Sequence, residues 1–149
     1  MTEISFYHLT SSTVEVALPS LLKKSLDSQK KSFILIPEES SLKKLDKHLW
    51  EYQADSFIPH GNSKDSFAEN QPIILSNEEN NINNSNFLFA LRGASSEFVK
   101  KFERYFDIFN GSDENEVKEA RSRWKKFKGE GFDLVYWKED ANGKWQKEK

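Results

Sequence analysis

The chain of 149 residues contains no cysteine, which excludes disulfides, thiolate zinc sites and cysteine nucleophiles together. It also has no apolar run near the ~20 residues that a membrane-spanning helix needs. Its first residues lack the basic and apolar regions of a secretion signal, so we expect a cytoplasmic protein. The formal net charge of −2 argues against a general nucleic-acid binder, because such proteins usually have a basic body.

Motifs for nucleotide, metal or acid–base chemistry are also missing. The six glycines never form a phosphate-binding loop, and the turn after the first predicted strand reads LTSST. The three histidines lack metal-ligand spacing, and His8 on a buried strand is interpreted as a core histidine with a hydrogen-bond partner. We therefore expect a protein that is not an enzyme and has no cofactor, no metal and no small-molecule substrate.

Strand-like and helix-like segments alternate along the chain. Short apolar runs predict strands at 4–9, 31–37, 57–60, 72–76, 87–92, 105–109 and 132–138, and helical spacing predicts helices at 14–28, 40–52, 95–103 and 115–128. This alternation predicts an α/β fold with a twisted, mostly parallel sheet and helices on both faces, but without a nucleotide-binding loop. We expect one domain over residues 1–149, with a C-terminal hairpin extension at about 138–149 signalled by Asn142–Gly143 and an edge strand at 144–147.

The fourth predicted helix carries a concentration of positive charge. Residues 117–128 hold six basic residues and one acid, so this window is +5 in a chain of net charge −2. At 100° per residue, Ala120 and Phe127 should face the sheet. An adjacent stripe then contains Val117, Arg121, Trp124 and Lys128, with Lys118 and Lys125 along its far side. Gly129 and Gly131 suit left-handed positions at the end of the helix.

Two interpretations of this helix remain open from the residues alone. Arginine can clamp a carboxylate, and tryptophan can line a pocket, so the stripe suits an acidic peptide with one buried apolar end. The alternative is a solvated amphipathic helix whose tryptophan packs on the sheet. A third use of the same cations is direct binding of single-stranded nucleic acid, with Trp124 as the stacking surface.

A second group of aromatic residues follows the second predicted helix. Leu42, Leu45, Leu49 and Tyr52 form one stripe of this helix, and Trp50 lies about 100° away from it. Phe57 and Pro59 come shortly after. These side chains indicate either a protein interface or a cap over the end of the core.

Three segments together resemble the chi subunit of bacterial DNA polymerase III. They are FYHL at 6–9, LDKHLWEYQADSFIPHG at 45–61 and ARSRWKKFKGEGFDL at 120–134, in the family's order and spacing. The resemblance extends from Phe6 to about Trp137. It implies a Rossmann-like fold without nucleotide chemistry.

The function that this resemblance implies is that of a replication adaptor. Such a subunit links the clamp loader to single-stranded-DNA-binding protein by gripping that protein's acidic C-terminal tail, which ends in an aromatic residue with a free carboxylate. DNA would be contacted only indirectly, at the replisome. Carried over by position, the resemblance places tail binding on Arg121, Trp124 and Lys125, with Gly131 and Phe132 shaping the turn beneath. The full predicted tail-binding set adds Val117, Lys118 and Lys128 of the same helix. The resemblance places a partner subunit, psi or an equivalent, on another set (Trp50, Phe57, Pro59 and His60).

Two positions of the tail-binding set depart from the family pattern. Trp124 stands where the family often has tyrosine, and Val117 stands where the family has a lysine. Lys118 can replace that lysine by reaching across the same helix face.

Overall fold

A computed structural model describes residues 2–51, 61–62 and 70–148, apart from the side chains of Glu15, Trp50, Glu51 and Asn62. The strands among these residues are β1 (Glu3–Leu9), β2 (Ser32–Leu35), β3 (Gly61–Asn62), β4 (Ile73–Ser76), β5 (Phe87–Ala90), β6 (Arg104–Asn110), β7 (Asp133–Glu139) and β8 (Trp145–Glu148). The helices are α1 (Val14–Asp27), α2 (Glu39–Glu51), α3 (Ser96–Val99) and α4 (Glu114–Gly129). None of these helices has the length and hydrophobicity needed to cross a bilayer.

The described strands form one sheet in the order β3-β4-β2-β5-β6-β1-β7-β8. Neighbouring strands are parallel except for β7 and β8, which pair antiparallel. The predicted α/β class with a mostly parallel sheet is therefore confirmed. The edge strand predicted at 144–147 is β8, and it closes a hairpin in which Glu139 pairs with Trp145.

Apolar side chains cover the sheet on both faces. One cluster includes Tyr7, Leu22, Leu45 and Ile108, so α1 and α2 cover that face. The other cluster includes Phe6 together with side chains of α3 and α4, which cover the opposite face. This arrangement confirms helices on both faces, as doubly wound sheets require, since the central strands are apolar on both sides.

Local interactions define both ends of helix α4. The Asp113 carboxylate accepts hydrogen bonds from the backbone N–H groups of Asn115 and Glu116, at 2.9 and 3.3 Å, and so caps the first turn. Ala120 and Phe127 are buried at 2% and 1% exposure, as predicted. Gly131 adopts the expected left-handed conformation at φ +87°. Gly129 does not: it is the last helical residue, and the expectation for it was wrong.

One predicted helix is shorter than expected, and one predicted strand falls on residues that the structure does not describe. The helix predicted at 95–103 is only α3, because bonds from Lys101 N–H to the Phe98 carbonyl and from Phe102 N–H to the Val99 carbonyl tighten the chain into a turn. The Thr2 hydroxyl then donates to the Phe102 carbonyl at 2.7 Å. The strand predicted at 57–60 lies outside the described residues, as does Tyr52.

Candidate functional site: a basic aromatic helix face

Trp124 is held against the sheet by aromatic neighbours. Its ring lies edge-on to Phe6 of β1, with centroids 5.3 Å apart, and edge-on to Tyr136 of β7 at 5.6 Å. Trp124 and Tyr136 each stay partly exposed. The packing of the tryptophan on the sheet, which the alternative interpretation of the helix predicted, is confirmed, and the same packing leaves an aromatic surface beside α4.

The six cations of α4 divide into two groups, five exposed side chains that include Lys126 and the half-buried Arg123. Lys118, Arg121, Lys125 and Lys128 are exposed, and their spacing of three, four and three residues places them along one side of the helix. The four cations therefore lie along one side of the partly exposed Trp124 ring, and together with it they form a mixed surface, the Trp124 surface. Such a surface suits a ligand that combines carboxylates with an aromatic or aliphatic group.

Arg123 belongs to the second group and is not available for a ligand. Its Nε and Nη2 donate to the two oxygens of Asp107 at 2.6 and 2.8 Å, and Asp107 is fully buried. The Tyr105 hydroxyl donates to the same carboxylate at 2.6 Å. Arg123 is one of the six basic residues counted in 117–128, but its side chain neutralises a buried acid and so adds nothing to the exposed positive charge of the helix.

This network shifts the ionisation of its members. Burial raises the pKa of Tyr105 well above its ordinary value, and the nearby Asp107 carboxylate raises it further. For Arg123, burial lowers the pKa, but the hydrogen bonds and charge of Asp107 outweigh that effect and leave it raised. The arginine thus stays charged, and α4 is fixed to β6 by a permanent ion pair.

The remaining members of the predicted tail-binding set lie at the two ends of this surface. Val117 is half-buried against the core beneath α4. Gly131 is exposed in the turn after the helix. Phe132 is half-buried and contacts the Phe127 ring edge-on at 5.6 Å. The structure therefore brings Trp124 and the exposed cations together, while Val117 and Phe132 contribute apolar support.

The structure describes only part of the residues of this chain that are predicted to bind a partner subunit. Trp50 lies in the last turn of α2, and its side chain is not among those described. Phe57, Pro59 and His60 lie outside the described residues. Leu42, Leu45 and Leu49 of the same helix are buried, as predicted from their spacing.

The turn where nucleotide-binding folds hold phosphate is filled by a side chain of this protein. Oε1 of Glu139 accepts hydrogen bonds from the backbone N–H groups of Thr10, Ser11 and Ser12 at 3.1, 3.0 and 2.8 Å. The Ser12 hydroxyl donates to Oε2 at 2.5 Å. Three successive N–H groups of this kind form an anion-binding concavity, and here the anion is internal.

The ionisation of Glu139 reflects this environment. Burial raises its pKa, but the hydrogen bonds from the Ser12 side chain and from the three backbone N–H groups together lower it below its ordinary value. The carboxylate is therefore charged at neutral pH. Its position gives a physical reason for the lack of glycines in LTSST, since no external phosphate has to approach that backbone.

A separate crevice lies at the carboxyl ends of β2 and β5. It has a volume of about 390 Å³ and is lined by two cations, Lys44 and Arg92, and by two acids, Glu38 and Glu116. The Glu116 carboxylate also accepts a 3.3 Å hydrogen bond from Asn110 N–H. Opposite charges line this crevice in equal number, so it does not favour a phosphate group.

Sequence reasoning missed several groups next to the Trp124 surface. His8 Nδ1 lies 2.6 Å from the Tyr136 hydroxyl, which confirms the expected hydrogen-bond partner, but His8 is half-buried beside this surface and not a core residue. Lys138 follows on the same face of β7, because alternate residues of a strand share a face. These contacts join strands that are far apart in the sequence, so no local sequence motif predicts the contacts. For Asp107, in contrast, an acid inside the run YFDIF was a usable signal of a buried pair.

Together these features define a doubly wound α/β protein with a basic aromatic helix face and an internally filled phosphate position. The family profile described as DNA polymerase III chi subunit, HolC, matches residues 1–135. The "Probable DNA polymerase III subunit chi" of Rickettsia prowazekii is 30% identical, with 99% of this chain and 92% of that protein covered. The "DNA polymerase III subunit chi" of Haemophilus influenzae is 28% identical over 87% of this chain and 92% of that protein. The chain therefore belongs to the DNA polymerase III chi subunit family of replication accessory subunits.

Proposed function

We propose that the chain, as one α/β domain over residues 1–149, is a non-catalytic adaptor of the replisome. It binds the acidic C-terminal tail of single-stranded-DNA-binding protein and links that protein to the clamp loader. The observation that carries this proposal is the half-exposed Trp124 beside the exposed cations of α4. Family membership supports it, because it places the chain among DNA polymerase III subunits.

The Trp124 surface supplies the two kinds of contact that such a tail needs. The aromatic end of the tail packs against Trp124, and Arg121 and Lys125 bind its carboxylates. Burying a terminal aromatic contributes about 1.5–3 kcal/mol. Exposed ion pairs add roughly 0.2–1 kcal/mol each. After association costs, we expect a net near −8 kcal/mol, which corresponds to roughly micromolar binding.

Weak binding of this kind is compatible with a tether. Several tails gathered on one DNA strand raise the effective concentration, so the assembly can hold firmly while each contact exchanges quickly. The exposed ion pairs should weaken as salt rises, because charges at the surface are screened beyond about 10 Å at 0.1 M.

Calorimetric titration with a peptide of the last ten or so residues of the tail tests this function. We expect micromolar binding that weakens with salt and is lost when the terminal aromatic is removed. Trp124→Ala should abolish binding. The matched control is Trp145→Ala, since Trp145 is also half-buried but packs on Tyr7, whose side chain belongs to the opposite face of the sheet.

Direct binding of single-stranded nucleic acid is the alternative function of the same residues. Trp124 and its cations suit base stacking and phosphate binding. The acidic charge of the rest of the chain opposes it. If a bare oligonucleotide binds with a steep salt dependence while the tail peptide does not bind, this alternative replaces the adaptor function.

We also propose a second contact, with psi or an equivalent clamp-loader subunit, through Trp50, Phe57, Pro59 and His60. The support is the family's arrangement and the helical spacing of the sequence, which sets Trp50 about 100° from the stripe of Leu42, Leu45 and Leu49. Co-purification of the partner subunit with wild-type chain, and its loss with Phe57→Ala, is the expected result. Equal recovery with both chains would remove this contact.

A further inference from the structure

His8 and Tyr136 form a polar pair on the sheet beside Trp124. Strands β1 and β7 are neighbours, and His8 Nδ1 lies 2.6 Å from the Tyr136 hydroxyl. The Tyr136 ring contacts Trp124 edge-on at 5.6 Å. Gly111 provides room for the imidazole, because any Cβ at that position would overlap His8 Nε2. The polar pair is therefore fixed in place and continuous with the Trp124 surface.

Charged groups from three elements face this pair. They are Arg121 of α4, Lys138 of β7 and Glu148 of β8. Burial lowers the pKa of His8, the two cations lower it further, and Glu148 opposes them. Arg121 also acts electrostatically on Tyr136. The imidazole is thus neutral near pH 7, and positive charge predominates around it.

We propose that Tyr136, held by His8, is an additional anion-binding element of the tail-binding surface, and that tail binding is coupled to protonation of His8. This inference rests on the proposed function, because it assigns further residues and a pH response to the same surface. Tyr136 extends the aromatic surface of Trp124, and its hydroxyl lies in the positive field of Arg121.

The coupling follows from the hydrogen-bonding capacity of the two side chains. In a neutral imidazole one nitrogen donates and the other accepts, whereas both nitrogens donate in the protonated form. Once His8 is protonated, Nδ1–H donates to the Tyr136 hydroxyl oxygen. The Tyr136 proton then points away from His8, where a tail carboxylate can accept it. The imidazolium adds a positive charge near that carboxylate.

Linkage fixes the sign of the effect. A bound carboxylate favours protonated His8, so it raises the pKa of His8, and protonation of His8 in turn strengthens binding. Carboxylates of the tail titrate near pH 4 and stay charged between pH 5.5 and 7.5. Lowering the pH over that range should therefore tighten binding. One unit of pKa increase corresponds to at most about tenfold in affinity, which sets the upper limit of the effect.

The test is calorimetric titration of the tail peptide at pH 7.5 and 5.5 and constant ionic strength. Wild type should bind more tightly at the lower pH, by up to about tenfold. His8→Gln should bind with the same affinity at both pH values. Tyr136→Phe should bind more weakly than wild type and lose most of the pH response. Tyr7→Phe is the matched control, because it removes a tyrosine hydroxyl from the opposite face of the sheet, and it should behave like wild type.

Nuclear magnetic resonance titration of the His8 imidazole provides a second readout that needs no substitution. The pKa of His8 should rise when the peptide is bound. An unchanged His8 pKa, or a His8→Gln protein with the wild-type pH response, would overturn the inference and leave tail binding intact. Absence of binding by folded wild type at both pH values would instead overturn the proposed function.

Discussion

Two arginines on α4, two residues apart, are expected to have separate roles. Arg121 is exposed, whereas the Arg123 side chain is only 16% exposed and binds the fully buried Asp107 through two hydrogen bonds. Replacing Arg123 by methionine keeps the aliphatic part but leaves the Asp107 charge buried and without its cation. Removing one partner of a buried ion pair costs about 3–5 kcal/mol. Because Arg123 keeps some exposure, we expect a loss at the lower end, about 3 kcal/mol.

Urea unfolding followed by circular dichroism measures this loss as a lower midpoint at an unchanged slope. Arg121→Met is the matched control: it should leave the midpoint nearly unchanged but weaken tail binding about tenfold or more, the equivalent of about 1.4 kcal/mol. The double variant Arg123→Met/Asp107→Leu should recover part of the stability, because both charges are then absent while the buried Tyr105 hydroxyl loses its acceptor. An Arg123→Met protein as stable as wild type, or an Arg121→Met protein with undiminished binding, would refute the division between the two arginines.

Four further substitutions, at three positions, test the contacts that stabilise this fold. Glu139→Ala should destabilise the fold by about 1–3 kcal/mol in urea unfolding, because three backbone N–H groups lose their acceptor, and an unchanged midpoint would contradict this. Folding lowers the pKa of Glu139, so this carboxylate stabilises the folded state fully above its unfolded-state pKa. That stabilisation is lost as the pH falls through the folded-state pKa, and the acid-unfolding profile of Glu139→Gln should lack this loss. Gly93→Ala should destabilise, since Gly93 has φ +86° and a Cβ there overlaps Arg123; a thermal midpoint equal to wild type would be the contrary result. Asp113→Ala should cost about 1 kcal/mol through loss of the α4 cap, and a stability equal to wild type would show that the cap contributes nothing.

Local sequence patterns were sufficient for most elements of the fold. Apolar runs marked β2 and β4, which are buried along their whole length, and helical spacing identified Ala120 and Phe127 as the buried face of α4. The helix predicted at 95–103 failed because Phe98 and Phe102 have helical spacing, yet the chain turns there to enter β6. Such a turn depends on tertiary contacts, which local spacing does not encode.

The candidate site was predictable only where one helix supplies it. Arg121, Trp124 and Lys125 share a segment, so angle and charge sufficed to group them. Other contacts depend on β1 lying beside β7: the position of Tyr136 next to Trp124, the His8–Tyr136 pair and the hydrogen bonds of Glu139. The hydrogen-bonded residues of these contacts are more than 120 positions apart in the sequence. Sheet order is set by the packing of the whole domain, so the residues alone could not reveal these pairs.

Backbone chemical-shift mapping of the 17.4 kDa chain tests the central claim most directly. Labelled protein is titrated with the acidic tail peptide, and the perturbed amides are located on the fold. The account predicts perturbations centred on α4 around Arg121 and Trp124 and on β7 around Tyr136, with the indole N–H of Trp124 among the largest. Perturbations centred elsewhere, or none with a folded protein at millimolar peptide, would contradict it.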